Sequence, residues 1–155
     1  MPLIEPEQAH RQGVEVALRL LARREYSEFE LRQKLNARGF DADTIEQTLT
    51  ECRRQNLVSD ERFVEALVHQ RKRRGYGPLR IRDDLRKRGV GNDLLAEYVD
   101  MESPDWLNSL HEVRLKKFGD RPPDNYREWT RQARFLQSRG FSVEQIRQVM
   151  GGFET

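Results

Sequence analysis

The stretch LRQKLNARGFDADTIEQTL, residues 31–49, returns twice, as IRDDLRKRGVGNDLLAEYV at 81–99 and as QARFLQSRGFSVEQIRQVM at 132–150. The offsets are 50 and 51 residues. Each copy holds a Leu, three further residues, then a Gly and an apolar residue: Leu35/Gly39/Phe40, Leu85/Gly89/Val90 and Leu136/Gly140/Phe141. An Arg stands before each Gly, and a second amphipathic run follows with Ile45, Leu95 or Ile146. Self-similarity at such a period marks a repeat architecture in which each copy is one supersecondary unit.

The glycines state what the unit is. A helix commonly ends with Gly just beyond its last residue, where a left-handed backbone penalises a Cβ. A cation before that Gly suits the negative helix end. Asp41 and Ser142 stand where caps for the next helix belong, Ser142 with Gln145 forms a capping box, and Ser27 with Glu30 forms another upstream. Pro78 and Pro104 fit first-turn positions.

A third helix precedes each pair. Val14, Ala17, Leu18 and Leu21 share one face, as do Phe63, Val64, Leu67 and Val68 fifty residues on, while Leu107, Leu110 and Val113 open the last unit. No window alternates like a strand. The expected fold is all-α: three tandem three-helix repeats at 14–58, 59–100 and 101–155, after an N-terminal extension, 1–13. The third repeat departs from pattern. KKFGDRPPDN lengthens its first connection, and Gln132 replaces the apolar Leu31 and Ile81, so Trp129, Ala133 and Leu136 are expected to supply its buried face.

Charged residues make up 35% of the 155, against about 25% in a typical soluble domain. That excess implies much surface per residue and an elongated body. Cys52 is the only cysteine, so no internal disulfide forms, and a small buried hydrophobe is its expected role. The start, MPLIEPEQAHRQG, lacks the charged and apolar regions of a signal peptide. No apolar run approaches the roughly 20 residues of a membrane span. A cytoplasmic location without membrane association is expected.

The net charge is only +2, yet residues 71–88, RKRRGYGPLRIRDDLRKR, hold nine bases against Asp83 and Asp84. A nucleotide-binding phosphate loop is excluded by spacing, because Pro78 follows Gly75 and Gly77 and no strand precedes them. Two readings remain for the strip. It is the solvated joint between two helices, or it is a surface for a polyanion or acidic partner. Arg71, Lys72, Arg73 and Arg74 form one turn without a neighbouring acid in sequence, and Arg82 and Arg86 share a flank without an acid four residues away. Tyr76 either stacks on a base or partner side chain or caps the corner. These seven residues are the candidate binding set.

No catalytic constellation is present. His10, His69 and His111 are far apart and lack ligand spacing with Cys52, so no metal site is expected. Glu28 and Glu30 sit in a capping context. Neither a cofactor nor enzymatic activity is expected.

YSEFELRQKL (26–35), NLVSDERF (56–63) and GYGPLRIRDDLRKRG (75–89) together resemble the RecX family, bacterial regulators of the RecA recombinase. The specific motifs are Tyr26-Ser27-x-x-Glu30-Leu31 with Leu35, Leu57-x-x-Asp60-x-x-Phe63, and Gly75-Tyr76-Gly77-Pro78 with Ile81 and Leu85. The third repeat matches more loosely. The resemblance implies repeats curved into a body that docks in the groove of the RecA–DNA filament, without catalysis. It also implies that filament extension is blocked or disassembly promoted, lowering strand exchange, RecA's ATP hydrolysis and its coprotease activity. The chain is expected to act as a monomer, with weak, nonspecific affinity for single- and double-stranded DNA. Two other classes stay open: a helical protein that grips DNA directly, and a scaffold binding some other acidic protein.

Overall fold

The computed structural model describes residues 5–153. They form nine helices and no strands: α1 (Pro6–Arg23), α2 (Glu28–Ala37), α3 (Ala42–Arg54), α4 (Asp60–Arg73), α5 (Pro78–Lys87), α6 (Asn92–Tyr98), α7 (Asp105–Phe118), α8 (Tyr126–Ser138) and α9 (Val143–Met150). Helix α1 begins at Pro6, inside the segment read as an extension. The chain divides into two compact units, one running to Ala66 and including Arg86–Gly91, the other made of Leu67–Leu85 and the chain from Asn92 onward. Two of the three borders fall within α4 and α5, and the third lies between α5 and α6.

In the first unit α1 packs chiefly on α3. Gly13 makes that approach possible, since a Cβ there would collide with the Thr48 hydroxyl. The core gathers Ala17 and Leu20 from α1, Leu31 and Leu35 from α2, and Ile45, Leu49 and Cys52 from α3, with Tyr26 and Val58. Burial, then the Glu51 carboxylate, raise the Cys52 thiol pKa, which leaves it an inert hydrophobe.

Helix ends are secured as their residue types dictate. Ser27 Oγ accepts from the Glu30 amide at 3.1 Å while Glu30 Oε1 accepts from the Ser27 amide at 3.2 Å. Asp41 caps α3 through the Thr44 amide at 2.8 Å, and Ser142 with Gln145 repeats the box on α9. Gly39, Gly89 and Gly140 all have positive φ, at 90°, 81° and 106°.

In the second unit α7, α8 and α9 pack on one another. Trp106, Leu110, Leu136, Phe141 and Ile146 are buried there, as are Ile81 and Leu85 of α5. The Trp106 indole N–H donates to the Asp100 carbonyl at 2.9 Å. One expectation for this unit is corrected. Gln132 keeps the inward position and is buried, whereas Trp129 and Ala133 are only half-buried. A polar residue is tolerated there because Arg114, also buried, donates from Nε to Gln132 Oε1 at 2.9 Å. The long connection between α7 and α8 spans 119–125, and Arg114 also reaches its Arg121 carbonyl at 3.3 Å.

Candidate functional site

Residues Arg71, Lys72 and Arg73 occupy the last turn of α4, where cations offset the partial negative charge of a helix C-terminus. The chain then turns through Gly75, whose φ is 84°. It runs beside the end of α8: the Gly77 amide donates to the Arg139 carbonyl at 2.7 Å and the Leu79 amide to the Gly140 carbonyl at 2.9 Å. Three helix C-termini of the second unit, those of α4, α7 and α8, contribute to a single cleft of about 450 Å³. Lys72, Arg73 and Arg74 line it with Lys116 and Lys117 from α7 and with Arg139, which caps α8. Val113 and Phe135 supply apolar wall, and Glu112 is the one carboxylate among the lining residues.

The candidate residues separate by environment. Arg71 is not short of an acid: its Nε lies 3.0 Å from Asp84 Oδ2 on α5. The acid is thirteen positions away in sequence, but the turn at 74–77 brings α5 back alongside. Lys72 sits 4.4 Å from the Trp106 ring centroid. Arg73 and Arg74 are exposed, and no carboxylate pairs with either among the described residues. Tyr76 is half-buried, with the Arg80 guanidinium 4.1 Å and that of Arg139 5.1 Å from its ring centroid, contacts that cap the corner. Arg82 is half-buried, and its Nε is enclosed without a hydrogen-bond partner among the described residues. Arg86 belongs to the first unit and is exposed.

Lys116, Lys117 and Arg139 were not singled out by sequence reasoning. The signal was present as two adjacent lysines and the Arg before the repeat glycine, but each is also what an ordinary helix C-terminus carries. Only the packing of α7 and α8 brings them beside 72–74.

Tyr26, Ser27 and Asp60, from the first two motifs of the resemblance, make structural contacts. Tyr26 is buried, with the Arg24 guanidinium 3.6 Å from its ring centroid. Asp60 accepts from the Glu28 amide at 2.8 Å, joining the start of α4 to the start of α2. Ser27 donates to the Arg88 carbonyl at 2.7 Å, sixty-one residues away. His69 and His111 are exposed and His10 is half-buried. Among the described residues no group of three or more His, Cys, Asp or Glu is arranged to hold a metal ion, and no helix is long and apolar enough to cross a membrane.

Residues 14–52, 59–98 and 105–150 match the first, second and third three-helix domains of RecX in turn. A regulatory protein RecX of Halorhodospira halophila is 43% identical over 133 residues, covering 86% of this chain and 83% of that protein. One from Legionella pneumophila is 41% identical over 133 residues, with 86% and 89% covered. Among solved structures, a crystal structure of RecX from Lactobacillus salivarius aligns with a TM-score of 0.80 at 19% identity, over 92% of this chain and 94% of that one. That likeness is one of fold.

Proposed function

The chain belongs to the RecX family of regulatory proteins, and on that premise we propose that it binds the RecA–DNA filament and inhibits the recombinase. Inhibition works by blocking filament extension or promoting disassembly, which lowers RecA's ATP hydrolysis and coprotease activity. The protein itself performs no chemistry and acts as a cytoplasmic monomer. Its three repeats act as the units 14–58, 59–100 and 101–155.

The observation that supports this reading is the set of cations without carboxylate partners at the end of α4 and around the cleft. A filament of protein and nucleic acid presents acidic side chains and phosphates, and such a surface steers and orients a basic face. Arg73, Arg74, Lys72, Tyr76, Arg82 and Arg86 are the proposed contacts. Arg71 contributes least, because Asp84 already neutralises it. The same cations give weak, sequence-blind binding to naked DNA.

The test is titration into preformed RecA–single-strand filaments while ATP turnover is followed. Wild-type protein well below the RecA concentration should suppress turnover, because one interruption in a cooperative filament silences many subunits. Arg73→Glu with Arg74→Glu should weaken suppression by about tenfold or more, since like charge facing an interface costs several kcal/mol. The variant must melt as wild type does. Inhibition only at concentrations that coat the DNA would mean simple competition for DNA. Undiminished inhibition by the folded variant would make this face a solvated one.

A further inference from the structure

We infer that the cleft between the ends of α4, α7 and α8 is a binding site for a free nucleoside triphosphate. The charge count carries the argument. Six cations line the cleft (Lys72, Arg73, Arg74, Lys116, Lys117 and Arg139) against the single carboxylate of Glu112. Some positive charge is needed to offset the three helix C-termini, each worth roughly half a negative charge. That accounts for about one and a half of the five net charges and leaves more than three uncompensated. Arg73, Arg74, Lys116 and Lys117 are exposed and meet no carboxylate among the described residues. Like charges this close favour an anionic guest.

The size of the space says which kind of anion. A volume of about 450 Å³ falls in the small-ligand range of about 300–1,000 Å³. An acidic peptide would have to bring several carboxylates into that volume and lose the chain entropy of each ordered residue. A polyphosphate chain carries its charges on adjoining groups and loses little on binding. Arginine and lysine both suit it, the first as a planar fork and the second as a point charge. The apolar wall of Val113 and Phe135 has no use for phosphate alone. Lys117 and Arg139 lie 5.3 and 5.4 Å from the Phe135 ring centroid, and a triphosphate that draws them onto its oxygens frees that ring for a nucleobase, as aromatic rings serve in single-strand binding sites.

This inference shares Lys72, Arg73 and Arg74 with the filament reading without resting on it, and its test uses neither RecA nor DNA. Calorimetric titration of the full chain, at fixed ionic strength without divalent cations, compares four probes: adenosine triphosphate, inorganic tripolyphosphate, adenosine and hexaglutamate. Adenosine triphosphate should bind most tightly, by about threefold or more over tripolyphosphate because of the base contact. Adenosine and hexaglutamate should be weaker by about a hundredfold. Lys116→Glu with Lys117→Glu should weaken adenosine triphosphate about tenfold or more. Reversing the charge of exposed Arg127, in the first turn of α8 and about 18 Å along that helix from Arg139, should leave it within about twofold. Equal loss in both variants, tripolyphosphate binding as tightly as the nucleotide, or hexaglutamate binding more tightly would overturn the inference. Should the lysine variant unfold, amide chemical shifts of the wild-type protein decide. Shifts from adenosine triphosphate gathered at 72–75, 109–117 and 135–139 support the site, and shifts elsewhere refute it.

Discussion

Ser27 shows how much one side chain does here. Its hydroxyl accepts from the Glu30 amide to start α2 and donates to the Arg88 carbonyl at the end of α5. The capping half of that role was legible from Ser27 and Glu30 standing three apart. The donated half was not, because nothing in a local pattern reports a partner sixty-one residues away. The repeat glycines divide in the same manner. Gly39 and Gly89 both have positive φ, as their position before an apolar residue predicts. A Cβ on Gly39 would meet nothing, whereas one on Gly89 would collide with the Phe29 side chain. Gly39→Ala should therefore cost only the left-handed penalty of about 1–2 kcal/mol. Gly89→Ala should cost about 1–3 kcal/mol more, from overpacking. Chemical denaturation of the two variants measures the difference, and equal losses would show that Phe29 yields freely.

At the scale of elements, the fold was readable because apolar residues recur at matching places. Leu31 with Leu35 and Ile81 with Leu85 are all fully buried, as are Leu95 and Leu136. The reading failed at Gln132, where residue type argued for solvent and position argued for burial. Position won because α7 presents Arg114 as its partner. A buried hydrogen-bonded pair of this kind predicts a specific non-additivity. Gln132→Leu alone strips a hydrogen bond from a buried cation and should cost about 2–3 kcal/mol. Adding Arg114→Met should recover much of that loss, since an apolar pair replaces a buried polar one at little or no cost. A double-mutant cycle by thermal unfolding decides, and additive losses would mean the pair is not coupled.

Acid stability belongs to the elements too. Glu128 in the first turn of α8 is held down to about 2 from 4.5, first by the Arg131 hydrogen bond and then by that from Gln132. Glu51 on α3 is likewise lowered to about 2, by Arg54 and then Gln55. A carboxyl whose pKa folding depresses adds stability that is complete above its unfolded pKa and lost as pH falls through the folded one. Both helices should lose stability between about pH 4.5 and about pH 2. The double variant Glu51→Gln, Glu128→Gln should show a flatter acid limb when melting temperature is followed against pH. A limb as steep as wild type would place the acid sensitivity elsewhere.

For the whole molecule, a net charge of +2 conceals a strongly segregated one. Sequence exposed the dense strip at 71–88, but it counted Arg71 as unpaired and missed half of the cleft, since Lys116, Lys117 and Arg139 arrive by tertiary packing. Roughly four phosphate contacts from the cleft and α4 should give naked single-stranded DNA a log–log salt slope of about −3, and duplex one nearer −4. Arg73→Glu with Arg74→Glu should reduce that slope by about 1.5 to 2. Fluorescence anisotropy across a salt series reads both values, and an unchanged slope would remove residues 73 and 74 from the contact. The two backbone hydrogen bonds from Gly77 and Leu79 to Arg139 and Gly140 bear on how such a chain can change over generations. With both rungs fixed, the corner at 74–77 has its residue count set: one residue gained or lost moves each amide off its carbonyl and turns Pro78 out of the first turn of α5. Insertions and deletions are therefore costly at this corner, since each breaks both bonds at once.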